Sequence, residues 1–190
     1  MATKTLLTID QYLALGEDPP GVRYELSDGE LIVTPSSTRF HNEFRDEFTA
    51  RLRTFLKAHP FGIVISETDV QLGESTVRRP DIAFIQRERI RGTDPDLPLT
   101  IAPDLAIEIF SRTDRTADLL RKVSEYLKAG TQAVWVFYPR LLRAYRYSNE
   151  QTQCLVPDDE FSEPELLPGF TLKISEIFSW GASWGTNLEK

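Results

Sequence analysis

The sequence predicts a single α/β domain. Apolar runs of strand length alternate with amphipathic helical patterns, and an Asp-Gly turn joins two such runs near the amino terminus. No linker, repeat or low-complexity segment divides the 190 residues. Hydrophobic residues are 41% and charged residues 27% of the chain, a balance that lets a domain this long bury its core without disulfide or metal staples.

Thr8 is placed to cap a short helix through Leu13, with Gln11 completing a capping box. Pro19-Pro20-Gly21 is a loop. Arg23–Leu26 and Glu30–Val33 flank Ser27-Asp28-Gly29, an N-terminal β-hairpin in which glycine accepts the positive φ of the turn. Phe40, Phe44, Phe48, Leu52, Phe55 and Leu56 recur every three or four residues, so a long core helix runs from after Pro35-Ser36-Ser37 to near His59-Pro60. Ile63–Ile65 and Val70–Leu72 read as strands, and Val77–Ile85 reads as another, with Pro80 marking the start of its inner part. Residues 87–103 form a surface loop with one helical turn. Asp104–Phe110 is a buried strand, and 114–129 a helix closed by Gly130. Strands follow at 133–138, 143–147 and 153–156. A turn at Leu167–Phe170 enters a short strand, Ile174–Phe178 is a helical turn, and the tail over 181–190 is frayed.

Composition narrows the function classes. The net charge of −7 argues against a protein that coats nucleic acid by bulk electrostatics, but not against an enzyme with a local basic surface. The lone Cys154 cannot form an intrachain disulfide, and with only His41 and His59 beside it a structural zinc site is not expected. Neither a signal peptide nor a membrane-spanning run is legible, so a cytoplasmic location is expected.

Chemistry concentrates between Arg78 and Tyr126. On the strand Asp104–Phe110, alternation puts Leu105, Ile107 and Ile109 on one face and Ala106, Glu108 and Phe110 on the other. An ionised glutamate in a sheet needs a partner, and a divalent metal, an arginine or a lysine would serve. Asp81, before Ile82-Ala83-Phe84-Ile85, has the same need. If the two strands are neighbours, the two carboxylates form an oxygen-only environment that suits Mg²⁺. Helical phasing sets Lys122 at the border of the apolar face made by Leu119, Val123, Tyr126 and Leu127, flanked by Arg115 and Tyr126. Its stem can lie on the core and its amine can reach a cleft. From the residues alone, a metal site and a structural ion pair both stand.

Several segments together resemble the Uma-type family, a branch of the PD-(D/E)XK restriction-endonuclease-like superfamily. They are RYELSDGEL, the serine-rich turn with His41, RRPDIAFI, PDLAIEIFSRTDR, the helix with Lys122 and Tyr126, QAVWVFYP and LPGF. The resemblance implies a restriction-endonuclease-like core, with a central mixed β-sheet flanked by helices. It also implies a Mg²⁺ (or Mn²⁺) site on Asp81 and Glu108, a catalytic lysine and phosphodiester hydrolysis. The superfamily's usual lysine, two residues after the second acid, is replaced by Phe110. In the Uma-type branch the following helix supplies it, and Lys122 fits that place. A second departure is Arg112, where the family more often has proline.

Glu25, in the family's YE element, is a further candidate acid or supporting partner; otherwise it is a solvated hairpin charge. His41 lies on the apolar stripe with Phe44 and Phe48 and reads first as a core or boundary residue. Arg39, Arg45, Arg51 and Arg53 read as a solvated helix face, whereas Arg140, Arg143 and Arg146 are candidates for phosphate contact. The aromatic stretch Tyr138–Tyr147 reads as core or dimer surface. The expected function is a Mg²⁺-dependent endonuclease acting on DNA, as a homodimer and away from membranes. The alternative is a catalytically inactive nuclease-like module that binds nucleic acid or a protein.

Overall fold

The computed structural model describes residues 6–95, 97–112 and 114–179, so the expected frayed tail lies outside the described residues. Helix α1 (Ile9–Leu13) leads into the hairpin β1 (Val22–Ser27) and β2 (Glu30–Pro35), then α2 (Arg39–Ala58). Next come β3 (Gly62–Ser66), β4 (Val70–Gly73), β5 (Thr76–Arg78), β6 (Ile82–Gln86) and α3 (Arg87–Ile90). They are followed by β7 (Leu105–Ile109), α4 (Thr116–Lys128), β8 (Ala133–Tyr138), β9 (Arg143–Tyr147) and β10 (Thr152–Leu155). The described chain closes with β11 (Glu160–Ser162), β12 (Thr171–Lys173) and α5 (Ile174–Ser179).

A six-stranded sheet, ordered β10-β9-β8-β7-β6-β3, forms the centre. Only β7 and β8 in it run parallel, because α4 is the crossover that joins them; the other neighbours are antiparallel. This is the mixed sheet expected. Alternation along β7 sorts the two faces as read from sequence. Leu105, Ile107 and Ile109 pack with Phe44, Phe48 and Leu52 of α2, while Ala106 packs with Leu119, Val123 and Tyr126 of α4. Both faces are therefore covered by helices, and β7, in the middle, is buried at every position.

The hairpin does not stand alone. It joins β5 and β4 in a second sheet, ordered β2-β1-β5-β4. Its turn has positive φ at both Asp28 (49°) and Gly29 (79°), the conformation that an Asp-Gly pair allows. The single strand expected over Val77–Ile85 is corrected: it is two strands in two sheets. The chain leaves the second sheet at Arg78 and enters the central one at Ile82. Pro80 has no N–H to continue a ladder. Arg79 is held by ion pairs to Asp18 and Asp69, which fix the corner. Asp81 thus sits at the junction of the two sheets. Strand β11, which pairs with β12, had no periodic signal, being three residues long.

Under that corner lies Arg78, with a side-chain exposure of only 2%. It bonds Glu25 of β1 at 2.9 Å and also pairs with Glu125 of α4, which in turn accepts the Ser27 hydroxyl at 2.6 Å. One cation therefore ties β1 and β5 of the second sheet to α4. Replacing it with alanine takes the guanidinium from two carboxylates and leaves Glu125, among the described residues, without an ion-pair partner. Arg78→Ala is therefore expected to lower the unfolding free energy by roughly 3–5 kcal/mol in a urea titration.

Candidate active site

The antiparallel register of β6 and β7 pairs Ile82 with Ile107. Extending it by one residue sets Asp81 opposite Glu108, so the two acids occupy adjacent places at one end of the sheet. The Asp81 carboxylate accepts the N–H of Ile109 at 2.7 Å, which puts it against the peptide that follows Glu108. His41, on the first turn of α2, meets the same Asp81 oxygen at 3.1 Å. With Oδ2 occupied twice, Oδ1 has, among the described residues, only Arg23 at 3.8 Å as an ion-pair partner. His41 therefore lies at the site and not merely in the core, where its apolar stripe alone suggested it belonged.

Helix α4 delivers its lysine to the sheet. The Lys122 ammonium lies 2.9 Å from Glu108 and 3.1 Å from Glu25, and the Tyr126 hydroxyl donates to Glu108 at 2.9 Å. Glu25 is not a solvated hairpin charge: it is buried and held by Arg78 at 2.9 Å and the Arg79 N–H at 3.0 Å. Arg115 departs from the stripe expected with Lys122 and Tyr126. It is the N-cap of α4, exposed, and lines the mouth of the site. Arg146 is not a phosphate-facing residue; it pairs with buried Glu163, which also accepts the Trp135 indole N–H. On α2, Arg39, Arg45 and Arg51 pair with acids, in keeping with a face of interleaved charges.

These residues open on a cleft of about 210 Å³ between β2 with the turn after it and the start of α4. Its floor carries Glu25, Asp81 and Glu108, with Lys122 among them. Burial, with the Asp81 and Glu25 charges adding to it, pushes the Glu108 carboxyl up to about 7 despite its bond to Lys122. Burial also opposes ionisation of Glu25, but Lys122, Arg78 and the Arg79 N–H hold its pKa below the usual value. Asp81 is likewise lowered against burial, by His41, Lys122 and Arg23. Burial works against the Lys122 ammonium, yet Glu108, Glu25 and Asp81 raise its pKa above an ordinary lysine's. Of the three acids, Glu108 alone is easier to protonate than a free carboxylic acid, and a second cation beside it would relieve that strain of charge.

The donors suit a small hard cation. Asp81 Oδ1 and the Glu108 carboxylate are oxygens on adjacent places of one sheet end. Among the described residues no three His, Cys, Asp or Glu side chains converge as a complete metal cage. Two carboxylates with the remaining positions left to water and substrate is how Mg²⁺ is usually held. Sequence reading did not single out Arg78, Glu125 or Arg23. The one available signal was the Arg78-Arg79 pair beside a buried aspartate.

Residues 9–175 match the family model described as "Uma2: Putative restriction endonuclease". The chain belongs to the Uma2 family. A crystal structure of a putative nuclease of the DUF820 group from Anabaena variabilis has the same fold, with a TM-score of 0.82 and 26% sequence identity. The match covers 92% of this chain and 99% of that one. No curated protein matches the sequence. The Uma2 chain thus has the restriction-endonuclease-like core, with its acids and Lys122 gathered at one end of the mixed sheet. Among the described residues no helix is long and apolar enough to cross a membrane.

Proposed function

We propose that the protein is a Mg²⁺- or Mn²⁺-dependent endonuclease that hydrolyses DNA phosphodiester bonds in this cleft. The observation that carries the reading is the convergence of Lys122, from α4, on Glu108 at 2.9 Å, one place from Asp81. It supplies from the helix the cation that Phe110 cannot. Asp81 and Glu108 would hold the metal ion. When bound, the ion polarises the phosphate and lowers the pKa of a water. Tyr126 donates to one Glu108 oxygen and so fixes the plane of that carboxylate. His41 and the Ile109 N–H occupy Asp81 Oδ2, which turns Oδ1 towards the cleft.

Lys122 is shared between Glu108 and Glu25. Glu25 is anchored by Arg78, so it would keep hold of the ammonium if Glu108 served as a ligand. Held there, the ammonium would donate to a non-bridging phosphate oxygen and stabilise the charge that grows on it. Glu25 is on this reading the residue that positions Lys122. A homodimer would offer two such clefts for the two strands of a duplex.

Nicking of supercoiled plasmid tests the reading. Relaxed product is expected with Mg²⁺ or Mn²⁺ and none with EDTA. An intact fold that yields no product with either metal, at any enzyme concentration, would instead support the inactive-module reading.

A further inference from the structure

The geometry points to the cleft end of the central sheet, where the chain leaves β7 and β8 side by side, as the surface that grips the phosphate backbone of the DNA. This rests on the nuclease reading and adds where the DNA lies.

Parallel pairing of Ile109 with Phe137 brings the two exits together, and the Phe110 N–H continues the ladder to the Phe137 carbonyl at 2.8 Å. The first exit carries Arg112 and Arg115; the second carries Arg140 and Arg143. Arg112, Arg115 and Arg140 are exposed, and Arg143 is half-buried. Among the described residues none of the four makes an ion pair. Most other arginines are engaged: Arg23 with Glu67, Arg79 with Asp18 and Asp69, Arg89 with Asp104. The remaining unpaired arginines, Arg53 and Arg87, belong to the opposite end. Arg53 is late on α2, whose first turn is at the cleft, and Arg87 follows β6, which runs away from Asp81.

A chain of net charge −7 has thus left beside its acidic cleft four of the six arginines that, among the described residues, make no ion pair. The nearby acids are already bonded: Asp114 accepts the Ser111 N–H at 2.7 Å, and Asp118 pairs with Arg121 at 3.1 Å. Arg143 gives one N–H to the Leu142 carbonyl at 2.9 Å, and guanidinium groups without a carboxylate partner offer the planar donors that phosphate oxygens match. Phe110 and Tyr138 rings are 4.7 Å apart, Tyr138 and Tyr145 5.5 Å, and the register sets Arg143 opposite Tyr138. Arg115 lines the cleft itself, beside Asp114 and Asp118, so the positive surface reaches the acids. It would offset the repulsion that the acidic floor exerts on DNA.

Binding is read without cutting, in the Glu108→Gln background, by fluorescence anisotropy of a labelled DNA duplex over a range of salt concentrations. Combining Arg112→Ala, Arg140→Ala and Arg143→Ala is expected to weaken binding roughly tenfold or more. It should also reduce the slope of log K against log salt by about 0.9 for each arginine. The control combines Arg53→Ala, Lys57→Ala and Arg87→Ala, which removes the same charge from the far end, and is expected to leave both quantities unchanged. Equal losses in the two triple variants would mean bulk attraction and overturn the inference, as would no loss in the first or no binding by the parent. Should the first triple variant fail to fold by circular dichroism, Arg140→Ala alone, at an exposed turn, must still lower the slope by about one contact. Arginine-dependent binding by a protein whose wild-type form never nicks plasmid would sink the nuclease reading and leave this surface standing.

Discussion

Lys122→Met is expected to slow DNA cleavage by about 10²–10³-fold while leaving divalent-cation affinity intact. The split follows from the contacts. Lys122 touches Glu108 and Glu25 but would not hold the ion, so its loss removes charge stabilisation at the phosphate and keeps the metal ligands. Rates from single-turnover cleavage, set beside calorimetric Mn²⁺ titrations, check both halves. The metal-free variant should also be less stable, by roughly 3–5 kcal/mol at pH 8, because Glu25 and Glu108 then face each other without their shared cation. At pH 6 the deficit should shrink, since Glu108 takes up a proton and the repulsion ends. Equal cleavage by the variant and the wild-type protein would remove Lys122 from the mechanism.

Glu108→Gln is expected to abolish metal-dependent cleavage and, without metal, to stabilise the protein above neutral pH. Burial and the neighbouring Asp81 and Glu25 hold the folded Glu108 pKa at about 7, against an ordinary value of 4.5. Between those two pH values the folded chain keeps a proton that the unfolded chain has shed. The stability this group contributes is therefore full below pH 4.5 and is lost as pH rises through 7. Across that window the wild-type protein loses about 3 kcal/mol that the glutamine variant does not. His41, raised by Asp81 against its burial, slopes in the same direction, so the informative quantity is the difference between the two proteins. Chemical denaturation at pH 5 and pH 8 measures it. The glutamine side chain still meets Lys122 and Tyr126, so the gain at pH 8 should be roughly 1–3 kcal/mol, and Mg²⁺ should raise the melting temperature of the wild-type protein alone. A variant less stable than wild type at both pH values would mark Glu108 as a structural ion-pair partner.

Much of this was legible because it followed short-range rules. The period of Phe44, Phe48 and Leu52 fixed the face of α2, and alternation fixed which side of β7 carries Glu108. Phasing brought Lys122 and Tyr126 to one flank of α4, and both now touch Glu108. What escaped was long-range. The break at Arg79-Pro80-Asp81 depends on ion pairs to residues distant in sequence, Asp18 and Asp69, and no periodicity records them. Arg78 joins Glu25 and Glu125 across elements far apart in the chain. For the same reason the meaning of Glu25 was open: only tertiary packing turns a hairpin glutamate into the anchor of a lysine. His41 looked apolar from its helix stripe because a helix stripe says nothing about what meets its first turn.

The proposed activity requires one ion in one place. A Mn²⁺-soaked crystal, read by anomalous diffraction, tests it most directly. The prediction is a peak about 2 Å from Asp81 Oδ1 and from a Glu108 oxygen, with Lys122 retained by Glu25. A peak that avoids both acids, or no peak while Lys122 remains on Glu108, would contradict it and make this cluster a buried salt bridge.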